Sequence, residues 1–141
     1  MSLKISLKPR ERLILGGAIV QNSGRRCDLI VENNVPILRE KDILREQDAD
    51  TPCKHIYLTI QLMYVDGKNL AEHRAKYWDL VRDVVSAEPS AHDMIDQISE
   101  NILQGRCYQA LKLTQKLIVD EQNVTRNGRS SRENVSGGAG K

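Results

Sequence analysis

TPCKHIYLTIQLMYV, residues Thr51–Val65, is the stretch on which the fold turns. It carries two periods at once. Ile56, Leu58, Ile60 and Leu62 alternate as in a strand, while Ile56, Ile60 and Met63 fall at helical spacing. The start settles the reading. Thr51 is a good N-cap and Pro52 suits the first helical position, so the segment predicts a buried helix. Everything before Thr51 then reads as short strands and everything after it as helix, which makes the chain α+β.

Downstream, Asp66-Gly67 breaks the first helix. Leu70, Tyr77, Trp78, Val81, Val84 and Val85 mark an amphipathic second helix. Pro89-Ser90 opens a third, with Ser90 and Asp93 spaced as a capping box and Met94, Ile95, Ile98, Ile102 and Leu103 as the stripe. Gly105 ends it. A fourth runs from near Cys107 to Asp120, with Tyr108, Leu111, Leu117 and Ile118 inward. From Gln122 on, Asn, Ser, Gly and Arg dominate, and burial cannot offset the ordering entropy. Residues 122–141 are therefore expected to be an unordered tail.

Upstream, Leu3, Ile5 and Leu7 alternate with Lys4, Ser6 and Lys8 as a half-buried strand that Pro9 ends. Leu13–Leu15 and Ala18–Val20 flank Gly16-Gly17, read as a kink or bulge. Asn22-Ser23-Gly24-Arg25 reads as a hairpin turn into Cys27, Leu29 and Val31. Val35–Leu38 is a last short strand, placed at an edge by Pro36. The expected architecture is a small antiparallel N-terminal sheet of meander type, packed with a C-terminal bundle of four helices. A sheet this small needs a cover on its apolar face. Arg39–Asp50 is a charged connector anchored by Ile43 and Leu44, with one helical turn. One domain is expected over 1–121, β-rich and basic over 1–45 and helical over 51–121.

The whole chain of 141 residues carries 21 Lys+Arg against 19 Asp+Glu, so its balance implies no partner. The distribution is more telling. Through Arg45 there are nine basic residues and five carboxylates, so the strand end is positive and the helical body mildly acidic. There is no Phe, and the four Tyr and one Trp all lie in the helical part. An aromatic stacking platform for RNA bases is thus missing from the strands, where contacts have to be ionic. Cys27, Cys53 and Cys107 are far apart and fit reduced thiols in the cytosol. Met1–Lys8 has no signal-peptide pattern, and Ile56–Val65 is too short to span a bilayer, so no membrane association is expected.

Catalytic chemistry finds little footing. Cys53-Lys54-His55 has no further ligands at zinc spacing and reads as a core cysteine beside a rim histidine. His73 reads as solvated, and His92 lies in the first turn of its helix. Gly16-Gly17 and Gly137-Gly138 lack the strand-to-helix context of a phosphate loop, and no nucleophile elbow is present. No enzyme activity, metal or cofactor is expected. Arg25-Arg26 is different, since guanidinium groups grip phosphate bidentately, although paired arginines at a turn also serve simply to blunt a sheet edge. Lys4 and Lys8 share the strand face opposite Leu3, Ile5 and Leu7.

Taken in order, several segments resemble the FlbT family of bacterial post-transcriptional regulators of flagellin synthesis. They are Leu-Lys-Pro-x-Glu-Arg at Leu7–Arg12, Gly-Ala-x-Val-x-Asn at Gly17–Asn22 and Leu-Arg-Glu-Lys-Asp-Ile at Leu38–Ile43. Thr51-Pro52, Ile56-Tyr57, Gln61–Tyr64, Gly105, Tyr108, Ala110–Lys112 and Leu117-Ile118 continue the series. Arg10 departs from the family pattern, where glycine is expected. The resemblance implies a cytoplasmic, non-enzymatic regulator that binds the 5′ untranslated region of flagellin mRNA, represses translation and promotes decay of the transcript. Some members instead favour flagellin production, and flagellin or a flagellin-associated regulator is an implied partner.

The resemblance carries over no RNA-contacting residues, so the candidates come from charge: Lys4, Lys8, Arg10, Arg12, Arg25, Arg26, Arg39 and Lys41. The charges of Leu38–Ile43 have an equal structural reading, pairing with one another or capping the bundle. The alternative function is a protein-binding adaptor or chaperone for flagellin or its regulators, docking through Tyr77, Trp78 and Val81.

Overall fold

The computed structural model describes the backbone of residues 2–138 and the side chains to Val124. Five strands precede four helices: β1 Leu3–Leu7, β2 Arg12–Leu15, β3 Ala18–Gln21, β4 Cys27–Val31, β5 Ile37–Arg39, α1 Pro52–Val65, α2 Leu70–Ala87, α3 His92–Leu103 and α4 Cys107–Gly138. The α+β expectation holds.

The strands form two small antiparallel sheets rather than one meander, β1–β4 and β3–β2–β5. The difference lies in the two turns. Gly16 and Gly17 have φ of 59° and 89° and join Leu15 to its partner Ala18. Two consecutive left-handed residues make the tight hairpin turn whose twist matches that of its strands. Gly16-Gly17 is therefore the hairpin, and neither a kink nor a bulge. Asn22–Arg25 is not a hairpin: β3 pairs with β2 and β4 with β1, so this segment crosses between the sheets. β5 does lie at an edge, with Pro36 just outside it.

The two sheets share a small core. Ile5 and Leu7 face Leu13, with Leu15, Cys27, Leu29, Val31 and Ile37 packed around them. Ile14 and Leu38, a register pair on the other face of the second sheet, belong to the helical core. The second sheet is thus sandwiched between the first sheet and the helices. Burial on both faces explains why β2 is an uninterrupted apolar run, Leu13-Ile14-Leu15, instead of an alternating one.

α1 is the centre of the bundle. Thr51 Oγ1 accepts from the Lys54 amide at 3.2 Å, and Pro52 opens the helix. Cys53, Ile56, Tyr57, Thr59, Ile60, Gln61 and Met63 are all buried. A helix covered on nearly every side has no single apolar stripe, which is why its sequence also alternates. α1 also fastens the strands. Tyr64 Oη donates to the Ile37 carbonyl and accepts from its amide, both at 3.1 Å. Gln61 does the same for Leu44, donating at 3.0 Å and accepting at 2.8 Å.

The connector contains two 3-10 turns, Glu40–Asp42 and Glu46–Asp48, where one helical turn is expected. Asp42 is buried, paired with Lys112 of α4 at 3.0 Å and bonded by Gln115. Gly105, with φ of 77°, ends α3 as expected. Ser90 and Asp93 make no capping box. A 3-10 turn, Pro89–Ala91, intervenes, and Ser90 bonds Glu88 instead.

The helix of α4 continues to Gly138, and the last residues of the tail expected over 122–141, 139–141, lie outside the described residues. Each residue added to an established helix gains a hydrogen bond while fixing only its own torsions. Among the described side chains its last buried apolar one is Leu117, and Glu121 accepts the Cys53 amide of α1 at 3.1 Å. No helix among the described residues is long and apolar enough to cross a membrane.

Candidate nucleic-acid interface

A turn joins β1 to β2 and shapes the site. The Glu11 amide donates to the Lys8 carbonyl at 3.1 Å, with Pro9 and Arg10 between them and Arg10 at φ 68°. This is the form with proline at the second position and a left-handed third, where glycine is the usual residue. Arg10 is the one non-glycine residue with positive φ among those described. The departure from the family pattern therefore leaves the turn's shape intact and puts a cation at a strained position. The turn is held from both sides. The Arg10 amide donates to the Asn22 carbonyl at 2.8 Å, and Gln21 Nε2 donates to the Arg10 carbonyl at 3.0 Å.

Asn22 ties this turn to the crossover. Its Nδ2 donates to the carbonyls of Leu7, Lys8 and Arg25 at 3.3, 3.1 and 2.8 Å. Its Oδ1 accepts from the Gly24 amide at 3.1 Å. One side chain thereby positions Lys8 and Arg10 on one loop and Arg25 and Arg26 on the other. Reading Asn22 only as a turn residue misses this role. The Asn-x-Gly spacing, which favours a side chain closing its own turn, is the signal that was present.

The result is a cleft of about 700 Å³ lined by Ser6, Lys8, Pro9, Arg10, Glu11, Arg26, Arg39, Glu40 and Lys41. Five cations against two carboxylates leave an excess of three positive charges. Both carboxylates already have backbone donors. Glu11 Oε1 accepts the Lys8 amide at 2.9 Å, and Glu40 Oε1 accepts the Arg12 amide at 2.8 Å. Arg39 is partly committed, donating to the Ser6 carbonyl at 2.7 Å and lying 3.6 Å from Glu11. Lys8, Arg10, Arg26 and Lys41 are exposed.

Three predicted residues lie outside this lining. Lys4 is on the outer face of β1 and pairs with Asp28 at 3.4 Å. The Ser6 hydroxyl and then Lys4 hold the Asp28 carboxyl below its usual range. Lys4 is thereby paired while Lys8, among the described residues, is not, because the antiparallel register sets Asp28 opposite Ser6, the next residue from Lys4 on the same strand face. Arg12 and Arg25 are exposed but do not line the cleft. Leu38–Ile43 divides its roles: Lys41 faces the cleft, Arg39 and Glu40 brace it, and Asp42 anchors it to α4. Burial pushes the Asp42 carboxyl up, but Gln115 and Lys112 more than offset this and hold it low.

In the bundle, Tyr77 is fully buried, its hydroxyl 2.8 Å from Ser99 and its pKa pushed up to about 12 by burial. Val81 is buried in the wall of a groove beside Trp78, so of the three predicted docking residues only Trp78, 41% exposed, stands out from the surface. It lines this groove, between α2 and α3, with Leu103. Burial, then Glu121, pushes the Cys53 thiol up to about 12, which keeps it as the thiol and not the thiolate at neutral pH. His73 is not solvated as expected, but lies 3.2 Å from Asp66 and ties the α1–α2 turn. His92 stands with Asp93 and Asp96 on the exposed start of α3.

The family described as "Flagellar protein FlbT" matches residues 3–125. A probable flagellum biosynthesis repressor protein of Bradyrhizobium diazoefficiens is 46% identical over 125 residues, 88% of this chain and 85% of the relative. The flagellum biosynthesis repressor protein of Caulobacter vibrioides is 39% identical over 121 residues, 84% and 85% of the two chains. A probable repressor of the same description from Rhodopseudomonas palustris is 36% identical over 124 residues, 88% and 98%. No solved structure matches.

Proposed function

This chain belongs to the FlbT family of flagellar regulators, and from that premise we propose that it represses flagellin synthesis by binding the 5′ untranslated region of flagellin mRNA in the cytoplasm. The observation that carries the reading is the cleft, where loops distant in sequence bring five cations together around an excess of three charges. Phosphates enter such a site by displacing counterions, and no aromatic side chain is needed. No aromatic residue lines the cleft, so the RNA is held by its backbone and its fold rather than by stacked bases. Occupying the leader blocks the ribosome, and an untranslated message falls to ordinary nucleases. The chain acts here by occlusion, without catalysis.

The test is a titration of flagellin leader RNA at several salt concentrations against the wild type, Lys8→Ala/Arg26→Ala, and Lys4→Ala as a control outside the cleft. Two lost phosphate contacts should reduce the log–log salt slope by about 1.4. Unchanged affinity in the double variant, or an equal loss from Lys4→Ala, removes the cleft from the reading. A second reading, an adaptor for flagellin or its regulators, draws on the α2–α3 groove, where Trp78 and Leu103 are 41% and 60% exposed. Binding through that groove would vary little with salt.

A further inference from the structure

A different concavity, of about 470 Å³, opens among the start of α1, the last turn of α2, the start of α3 and the packed part of α4. Val84, Ala91 and Leu117 are buried in its floor and Met94 is half-buried there. Ala87 and Val124 are exposed at its mouth. Its charged lining residues are Asp83, Glu88, Asp120 and Glu121, and no Lys, Arg or His lines it among the described residues. In sign it is the reverse of the basic cleft.

The carboxylates follow from helix spacing. Asp83 and Ala87 are one turn apart on α2, while Leu117, Asp120, Glu121 and Val124 share one face of α4. Glu121 is half-committed. Its Oε2 accepts the Cys53 amide at 3.1 Å, while its Oε1 is buried with no hydrogen-bond partner among the described residues. A buried carboxylate oxygen without a donor is costly. A cation seated nearby relieves that cost and the mutual repulsion of the four acids.

We propose that this groove docks a basic amphipathic segment of a partner protein, its apolar side chains on Met94, Val84 and Leu117 and its lysines or arginines against Asp83, Asp120 and Glu121. Helix-in-groove recognition needs this combination of an apolar trough and a charged rim. Nucleic acid is the wrong sign for it. The groove shares no residue with the cleft, so the chain has separate surfaces for a polyanion and a cationic polypeptide.

The probe is a fluorescein-labelled synthetic helix of leucine and lysine, with a leucine–glutamate helix as its counterpart, titrated against the full chain by anisotropy. Ala87→Trp fills the mouth, and Asp83→Lys/Asp120→Lys cancels the net charge of the rim. All three positions are exposed, and thermal melts confirm that the variants fold. Saturable binding of the lysine peptide, weakened about tenfold or more by each variant and unaffected by Lys8→Ala/Arg26→Ala, is the expected result. Failure of the lysine peptide to saturate overturns the proposal, as does preference for the glutamate peptide. Equal binding by Ala87→Trp means adsorption to general surface charge and overturns it too. Self-association of the free chain that Ala87→Trp abolishes would give the groove to a second copy instead.

Discussion

Arg10→Gly should stabilise the fold while weakening the cleft. Arg10 sits at φ 68°, a conformation that costs a residue with a β-carbon about 1–2 kcal/mol. Glycine removes that cost but loses about 0.5–1 kcal/mol through its greater freedom in the unfolded chain. At the midpoints of these ranges the net gain is about 0.75 kcal/mol, a rise in Tm of roughly 2–4 °C for a domain of this size. The bonds that pin the turn survive the change, because they use the amide and carbonyl of residue 10. The cleft meanwhile drops from an excess of three charges to two, and the log–log salt slope for leader RNA should fall by about 0.7. Thermal denaturation and anisotropy at several salt concentrations read the two effects on one preparation. Arg10→Ala separates them, since it removes the cation and keeps the strain. A Tm of Arg10→Gly at or below wild type would refute the strain argument. An unchanged salt slope would show that Arg10 touches no phosphate.

Asn22→Ala strips a half-buried side chain from four backbone partners and should cost roughly 2–3 kcal/mol in urea denaturation. Binding should weaken as well, because both cationic loops lose their register; loss of stability alone would make Asn22 purely structural. The Asp42–Lys112 pair predicts a pH dependence. Asp42 titrates below its unfolded value, so its contribution is complete above about pH 4 and is lost as pH falls through the lower native pKa. Lys112 is raised by Asp42 against the opposing effect of burial, so its contribution holds below about pH 10 and is lost as pH rises further. Asp42→Asn should cost roughly 2 kcal/mol at neutral pH, discounted because the Lys112 side chain is 37% exposed. It should also flatten the acid limb; an acid limb identical to that of wild type would exclude the pair as its source. Cys53, its thiol pushed up to about 12, should resist iodoacetamide at pH 8 in the native chain and react on unfolding. Modification at the rate of an unfolded thiol would contradict its burial.

The cleft was half legible in advance. Lys8, Arg10, Arg26, Arg39 and Lys41 were identified by charge, and their meeting depends on the long-range bonds of Asn22 and Arg39. Lys4 looked equivalent to Lys8, yet it is neutralised by Asp28, a residue 24 positions away. Tyr77 and Trp78 are neighbours in sequence, but helical rotation sends one into the core and leaves the other at the surface. The acidic groove drew no notice, because its four carboxylates come from two helices and the turn between α2 and α3.

Local chemistry was enough to establish the α+β division, the N-cap at Thr51, the break at Asp66-Gly67 and the glycine stop at Gly105, since caps, turns and periodicity act over a few residues. Tertiary structure alone decided that the strands make two sheets, that β2 is buried on both faces, and which cations remain free. Those outcomes depend on what each side chain meets across the fold, and the partners, Asp28 for Lys4, Ser6 for Arg39 and Lys112 for Asp42, are between 24 and 70 residues away.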